Sequence, residues 1–272
     1  MTTDSFQAYF EVRLNATIET IKPEVPERLY EAIYYTISSG GKRVRPYLMF
    51  LIADLLNVPK EKVLGQAISL ECIHTYSLIH DDLPCMDDDD YRRGKESCHN
   101  KFGEAMAILC GDSLLNFAYE NLFNTLIEDN SLLESCRYLA KKAGSTGMIN
   151  GQMVELFSFN MTEDLYKFIY DKKTSELIKA AIMVPVIIAG VENSEAYEKF
   201  AENLGLMFQL MDDLIDYDKD EGSLAQHWGK KQTKEKIDSL SDDINMFLDT
   251  IEDSNAKKDL SEFVKFLSNR SK

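Results

Sequence analysis

Cysteine, proline and glycine are all scarce in this chain of 272 residues, which holds 5 Cys, 6 Pro and 13 Gly. The cysteines, at 72, 85, 98, 110 and 136, are odd in number and never spaced as Cys-x-x-Cys. That argues against a disulfide framework and a structural zinc site, and fits a reducing compartment. With so few helix breakers, and with long stretches rich in Leu, Ile, Ala, Glu and Lys, the composition favours an all-helical protein. Strand-like alternation, repeats, low-complexity tracts and linkers are missing too, so residues 1–272 are expected to form a single domain. The longest apolar run, AAIMVPVIIAGV at 180–191, falls short of the roughly 20 residues a bilayer span needs and contains Pro185. The N-terminal MTTDSFQAYFEVRL lacks a basic-then-apolar leader pattern. A soluble, cytoplasmic protein is the expectation. An excess of positive charge is also missing: 30 Lys and Arg against 46 Asp and Glu give a net charge of −16. Nucleic acid is thereby disfavoured as a partner, and any anion site has to be locally basic.

What is present is helical periodicity. Phe6, Tyr9, Phe10, Leu14 and Ile18 make one stripe, and Leu29, Ile33 and Ile37 another that Gly40-Gly41 stops. Helices are expected over 45–56, 60–83 and 104–128, then over 131–156, 162–171, 174–190, 194–217, 233–252 and 256–268. The last part, with Ile237, Leu240, Ile244, Phe247, Leu248 and Ile251, reads as an amphipathic cover.

Two acidic clusters interrupt this pattern. HDDLPCMDDDDYRRG, from His80 to Gly94, packs six carboxylates and then two arginines. Like charges at that density raise one another's pKa unless something positive sits among them, and a divalent metal is the obvious candidate. Pro84 forbids a regular helix through the cluster, so helical spacing does not say how Asp81 and Asp87 converge. The second cluster is FQLMDDLID at 208–216, where Asp212 and Asp216 lie four apart and share a helix face amid apolar neighbours. Carboxylates so placed are costly without a partner. A solvated acidic surface that binds nothing is the plain alternative for each. The spacing of an EF-hand is missing, and so is any glycine-rich phosphate loop. Mg²⁺ takes one or two carboxylates plus water and phosphate oxygens, so separate carboxylate sets suit a metal-held diphosphate. Arg92 and Arg93 add forked donors for phosphate. GGKRVRP at 40–46 and Lys172-Lys173-Thr174 are basic islands in an acidic chain, and they suggest a second anion bound directly.

Taken in order, GGKRVRP, CIHTYSLIHDDLPCMDDDDYRRGKESCH, FGEAMAILCGDSLL, GMINGQMVEL, KKTSELIKAA and FQLMDDLID resemble the trans-isoprenyl diphosphate synthases over roughly residues 30–220. Within them the bacterial short-chain group making farnesyl diphosphate is the nearest in pattern. The resemblance implies an all-α isoprenoid synthase fold, a helical barrel around a central active-site cleft, and a homodimer. It implies head-to-tail condensation of isopentenyl diphosphate with dimethylallyl or geranyl diphosphate, aided by three Mg²⁺ ions. Carried over, Asp81, Asp87 and Asp212 bind metal and Asp216 supports them. Arg92, Lys173, Thr174 and Gln209 take the allylic diphosphate, and Lys42, Arg45, His74 and Arg93 take isopentenyl diphosphate. Tyr76 and Ser77, about one helical turn before Asp81, floor the tunnel that sets product length, and a bulky Tyr76 points to fifteen carbons. Two departures stand out: Met211 where the group often has Gln, and a poorly matched stretch after Asp216 in which Lys230 is the candidate loop lysine. Geranyl and geranylgeranyl diphosphate are the alternative products. A terpene cyclase would have no use for GGKRVRP, and an inactive subunit would have eroded aspartates.

Overall fold

Helical spacing of apolar residues accounts for nearly every element of the computed structural model, which describes residues 3–218 and 222–268. These residues fall into two units, one formed by the chain up to residue 47 with residues 64–132, the other by 48–63 with the chain from residue 133 onward.

In the first unit, α1 (Thr3–Glu19) buries Phe6, Phe10, Leu14 and Ile18 along one face. The Phe6 ring stacks on Phe10 at 5.4 Å between centroids and tilts against Tyr47 at 4.8 Å. Helix α2 (Glu27–Ile37) begins directly after Pro26, a residue whose fixed φ suits a helix entry. It ends ahead of Gly40 and Gly41, whose φ values of +79° and +124° favour glycine. Helix α3 (Val44–Leu55) starts inside the GGKRVRP island and from residue 48 belongs to the second unit, while α4 (Lys60–Asp81), in the first unit from residue 64, runs into the first acidic cluster. Two short strands follow, β1 (Tyr91–Arg92) and β2 (Lys95–Glu96), paired antiparallel with Tyr91 opposite Glu96. This ribbon corrects the expectation of no strands; two residues a side are too few for alternation to show. Its turn residues Arg93 and Gly94 both have positive φ, the conformation that a tight two-residue hairpin requires. Helices α5 (Cys98–Phe102) and α6 (Glu104–Glu128) complete the unit.

The second unit contains α7 (Leu133–Ala143) and α8 (Met148–Phe157), where the sequence suggested one helix. The chain breaks between them because it turns too tightly: a Cβ on Gly147 would lie 1.9 Å from the Lys142 carbonyl oxygen. Helix α9 (Glu163–Ile169) passes through a π-helical turn, Tyr170–Ser175, into α10 (Glu176–Ala189). Every residue of α10 from Glu176 to Val186 is buried, which explains the long apolar run without a membrane. Two charges are buried with it, and they are matched: Glu176 accepts from Lys142 at 2.8 Å and Lys179 donates to Asp171 at 2.5 Å. Helix α11 (Ser194–Ile215) carries the second acidic cluster. The sequence reading missed α12 (Leu224–Trp228), a single short turn capped by the Ser223 hydroxyl, which accepts from the Gln226 N–H at 3.3 Å. Helices α13 (Lys230–Asp249) and α14 (Asn255–Ser268) bury Ile237, Leu240, Ile244, Leu248, Leu260, Phe263, Val264 and Leu267. Among the described residues, no helix is long and apolar enough to cross a membrane.

Phe10 is fully buried at the centre of the α1 stripe. Phe10→Ala is expected to cost about 3–5 kcal/mol of unfolding free energy, read as a lower urea midpoint at unchanged slope.

Candidate active site

The first acidic cluster converges by a chain reversal that periodicity could not reveal. After α4 ends at Asp81, the chain turns back until the Asp87 N–H donates to the Asp81 carbonyl at 2.9 Å. The Met86 and Asp88 N–H groups close the same turn on the Leu83 carbonyl, at 2.8 and 3.1 Å. Asp81 is left half-buried and Asp87 exposed, their backbones joined by that bond. Their neighbour Asp82 points inward and is only 2% exposed. Burial raises its carboxyl above the ordinary value, and Arg92 opposes the rise. The Arg92 Nε donates to Asp82 at 2.8 Å, its Nη2 contacts the same oxygen, and Nη2 also donates to Asp89 at 2.7 Å.

The basic island divides into one inward and two outward residues. Arg43 has a fully buried side chain, while Lys42 is exposed and Arg45 half-buried. Arg43 donates to Glu71 at 2.5 Å, to Glu11 at 2.7 Å and to the Ile37 carbonyl at 2.6 Å. Arg45 Nη1 sits 3.3 Å from His74 Nε2. Arg93 reaches back from the ribbon to the Gly40 carbonyl. Burial, then Arg45, Arg93, Arg43 and Arg92, together hold the His74 imidazole well below its ordinary pKa. His74 is therefore the neutral member of a cationic group.

On the same helix Tyr76 is buried, its hydroxyl pushed up to about 12 by that burial, with its ring edge-on to His80 at 5.8 Å. Ser77 donates to the His74 carbonyl at 2.9 Å.

In the second unit, the π turn presents Lys173 and Thr174. Glycine at 151 lets α8 press against it, since a Cβ there would fall 2.2 Å from the Lys173 nitrogen. Lys173 donates to Glu155 of α8. Lys172, grouped with it in the sequence, is instead held by Asp171 and Glu176, each at 2.9 Å. Thr174 donates to the Gln209 side-chain oxygen at 2.8 Å, and Gln209 donates to Asp213 at 3.1 Å. Asp213 is buried and also accepts from the Tyr170 hydroxyl at 2.6 Å, while that hydroxyl accepts from the Leu224 N–H at 2.9 Å. Asp212, near the end of α11, and Asp216, just past it, are half-buried, as is Met211. Lys230 holds Asp218 through both carboxylate oxygens, at 3.0 and 3.2 Å. Residues 219–221 of the departing stretch lie outside the described residues.

Among the described residues, no three His, Cys, Asp or Glu side chains gather into a ready-made metal cage. The donor set nonetheless fits Mg²⁺. Asp81 and Asp87 carry hard oxygen donors on backbone brought together by one hydrogen bond, and that ion keeps several waters and takes phosphate oxygens to complete its shell.

The sequence reading passed over Glu11, Arg43, Glu71, Glu155, Tyr170 and Asp213, and it grouped Asp82 with Asp81 toward ions where the structure buries it against Arg92. For Glu71 a signal existed: one acid within the apolar run of α4. For the others the partner lies far along the chain.

Comparison with known proteins bears on the family and the fold. Residues 26–241 match the family model described as polyprenyl synthetase. The chain belongs to this family. It is 42% identical over 218 residues to a farnesyl diphosphate synthase of Micrococcus luteus, a match spanning 79% of this chain and 75% of that protein. It is 38% identical over 244 residues to geranylgeranyl pyrophosphate synthase 7 of Arabidopsis thaliana, spanning 85% and 70% respectively. Among solved structures, the apo form of an FPP/GFPP synthase from Zymomonas mobilis aligns with a TM-score of 0.85 at 30% identity, over 98% of this chain and all of that one. The family member thus has the all-α isoprenoid synthase fold of its neighbours.

His74 gives a pH test. Its folded pKa lies below the ordinary 6.5, so below that pH the unfolded chain takes up a proton the folded chain refuses. The stability it contributes is present above about pH 6.5 and lost as pH falls through it. Urea midpoints of the wild type are expected to fall more steeply from pH 7 to 5.5 than those of His74→Gln.

Proposed function

We propose that this protein is a Mg²⁺-dependent cytoplasmic prenyltransferase, its whole chain serving as one catalytic domain. It condenses isopentenyl diphosphate first with dimethylallyl and then with geranyl diphosphate, giving farnesyl diphosphate and releasing pyrophosphate. The observation that carries the reading is the reversal after α4, which sets Asp81 beside Asp87 while Asp82 anchors Arg92.

In this reading Asp81, Asp87 and Asp212 hold the metal ions, with Asp216 in support. Bound Mg²⁺ would neutralise charge growing on the departing pyrophosphate. Arg92, Lys173, Thr174 and Gln209 orient the allylic diphosphate, so that its carbon–oxygen bond breaks where cations receive the leaving group. Lys42, Arg45 and Arg93 fix the isopentenyl diphosphate, and neutral His74 offers it a hydrogen bond without adding charge. The isopentenyl double bond attacks the allylic cation, and the released pyrophosphate takes the final proton. No nucleophilic side chain is needed.

Tyr76 supports a fifteen-carbon product, because a buried phenol ahead of Asp81 leaves a growing tail little room. A farnesyl diphosphate synthase among the relatives points the same way. The geranylgeranyl synthase among them makes a twenty-carbon product the second reading. A homodimer is supported by α6, which leaves Leu109, Phe123 and Ile127 uncovered, the last two 64% and 83% exposed.

Purified protein given Mg²⁺, isopentenyl diphosphate and dimethylallyl diphosphate is expected to yield farnesol after dephosphorylation. Asp81→Ala should lower kcat/KM about a thousand-fold, the equivalent of about 4 kcal/mol, and Tyr76→Ala should lengthen the product. Folded protein that makes no condensation product from either allylic starter would refute the reading and leave an inactive subunit. Light scattering should separately report a dimer that Phe123→Asp with Ile127→Asp converts to monomer.

A further inference from the structure

The N-terminal helix α1 lies wholly ahead of residue 26, where the family match begins, yet it holds the basic island from one side. Its Gln7 amide donates to the Gly41 carbonyl at 3.2 Å, and its Glu11 carboxylate accepts from Arg43 Nε at 2.7 Å. From the other side Glu71 of α4 accepts from Arg43 Nη1 at 2.5 Å and lies 4.0 Å from Arg93. Arg93 fills the space over the loop, for a Cβ on Gly41 would fall 2.8 Å from its guanidinium carbon.

The loop cannot hold this shape unaided. Gly40, Gly41 and Arg43 all have positive φ, Arg43 at +45°, which costs energy for a residue bearing a side chain. Arg43, Arg45 and Arg93 also repel one another around His74. Two carboxylates on two helices offset both penalties, and the fork of Arg43 fixes direction as well as charge. Lys42 and Arg45 flank Arg43 in the chain, so what fixes Arg43 fixes the points from which both reach out.

We propose that Gln7 and Glu11 of α1 are positioning residues for the isopentenyl diphosphate subsite, acting through Gly41 and Arg43 together with Glu71. This rests on the proposed function, which assigns that substrate to Lys42, Arg45, His74 and Arg93. Neither α1 residue touches substrate in this scheme, and neither titration nor metal is involved.

The test is steady-state kinetics of Gln7→Ala, Glu11→Gln and the double variant, with each substrate varied in turn and thermal melts as the check on folding. Glu11→Gln is close in shape and its side chain is partly exposed, so the fold should survive it. In the double variant KM for isopentenyl diphosphate should rise about ten-fold or more. KM for the allylic diphosphate and kcat at saturation should stay within about two-fold, since correct orientation is lost at one substrate only. Equal rises in both KM values, a fall in kcat alone, or no change would overturn the proposal. Calorimetric titration with isopentenyl diphosphate reads the same claim without turnover. If the wild type binds it but condenses nothing, the functional reading fails while weaker binding by Glu11→Gln still upholds the positioning role. Equal binding by variant and wild type, or binding by neither, overturns that role.

Discussion

The ion pair between buried Asp82 and Arg92 decides where the acidic turn goes. A carboxylate this far from water is tolerated only against a fixed cation, and that cation stands on β1, beyond the reversal. Satisfying Asp82 therefore ties the ribbon to the end of α4, and the residues between have no option but to fold back. The Asp87 N–H then meets the Asp81 carbonyl, and two acidic residues six positions apart are joined through their backbones. Arg93, next in the chain, is thrown to the opposite side by the turn and reaches Gly40. One buried charge pair thus places the turn that carries Asp81 and Asp87, and with it the position from which Arg93 reaches Gly40.

The second unit anchors its acidic cluster through a hydrogen-bonded network. Asp213 is buried one residue from Asp212, and it accepts from a phenol, an amide and a backbone N–H. Each partner continues outward: Gln209 to Thr174, and Tyr170 to the first turn of α12. The π turn that carries Lys173 and Thr174 is held by the helix bearing the acidic cluster and pressed by Gly151 of α8. Helices tolerate such an extra residue per turn where a side chain has to be aimed, and here it aims a lysine and a hydroxyl.

Much of this was legible in the sequence, and the limits have a common cause. The α1 stripe, α6 and the apolar α10 follow from spacing and composition, which are local. Asp81, Asp87, Asp212, Lys173 and Thr174 stood out because charge was concentrated where a helix would not bury it. What stayed hidden were pairings across long separations: Glu11 with Arg43, Asp82 with Arg92, Tyr170 with Asp213. The split after α7 was hidden for another reason, since Gly144 and Gly147 sit in a stretch whose apolar period continues through the break. A two-residue ribbon is below what alternation can register. Lys172 and Lys173 look equivalent in the chain, and only the buried Glu176 separates them.

The cationic group around His74 would let a protein of net charge −16 hold the anion that the proposed function places there. Its surface repels diphosphates, so the attraction has to be local and strong within a Debye length of about 8 Å. Crowding arginines achieves that but strains the empty site, because each charge lowers the tolerance for the next. Two devices keep the strain bearable: Glu71 and Glu11 neutralise the innermost arginine, and His74 declines its proton. Glu71 also lies 4.0 Å from Arg93, so its charge is shared between the inner arginine and the ribbon. An anion bound there, as the proposed function has it, would relieve repulsion among these arginines, so that binding and local stability would rise together. A fully neutralised cluster would be more stable when empty and would bind diphosphate less well.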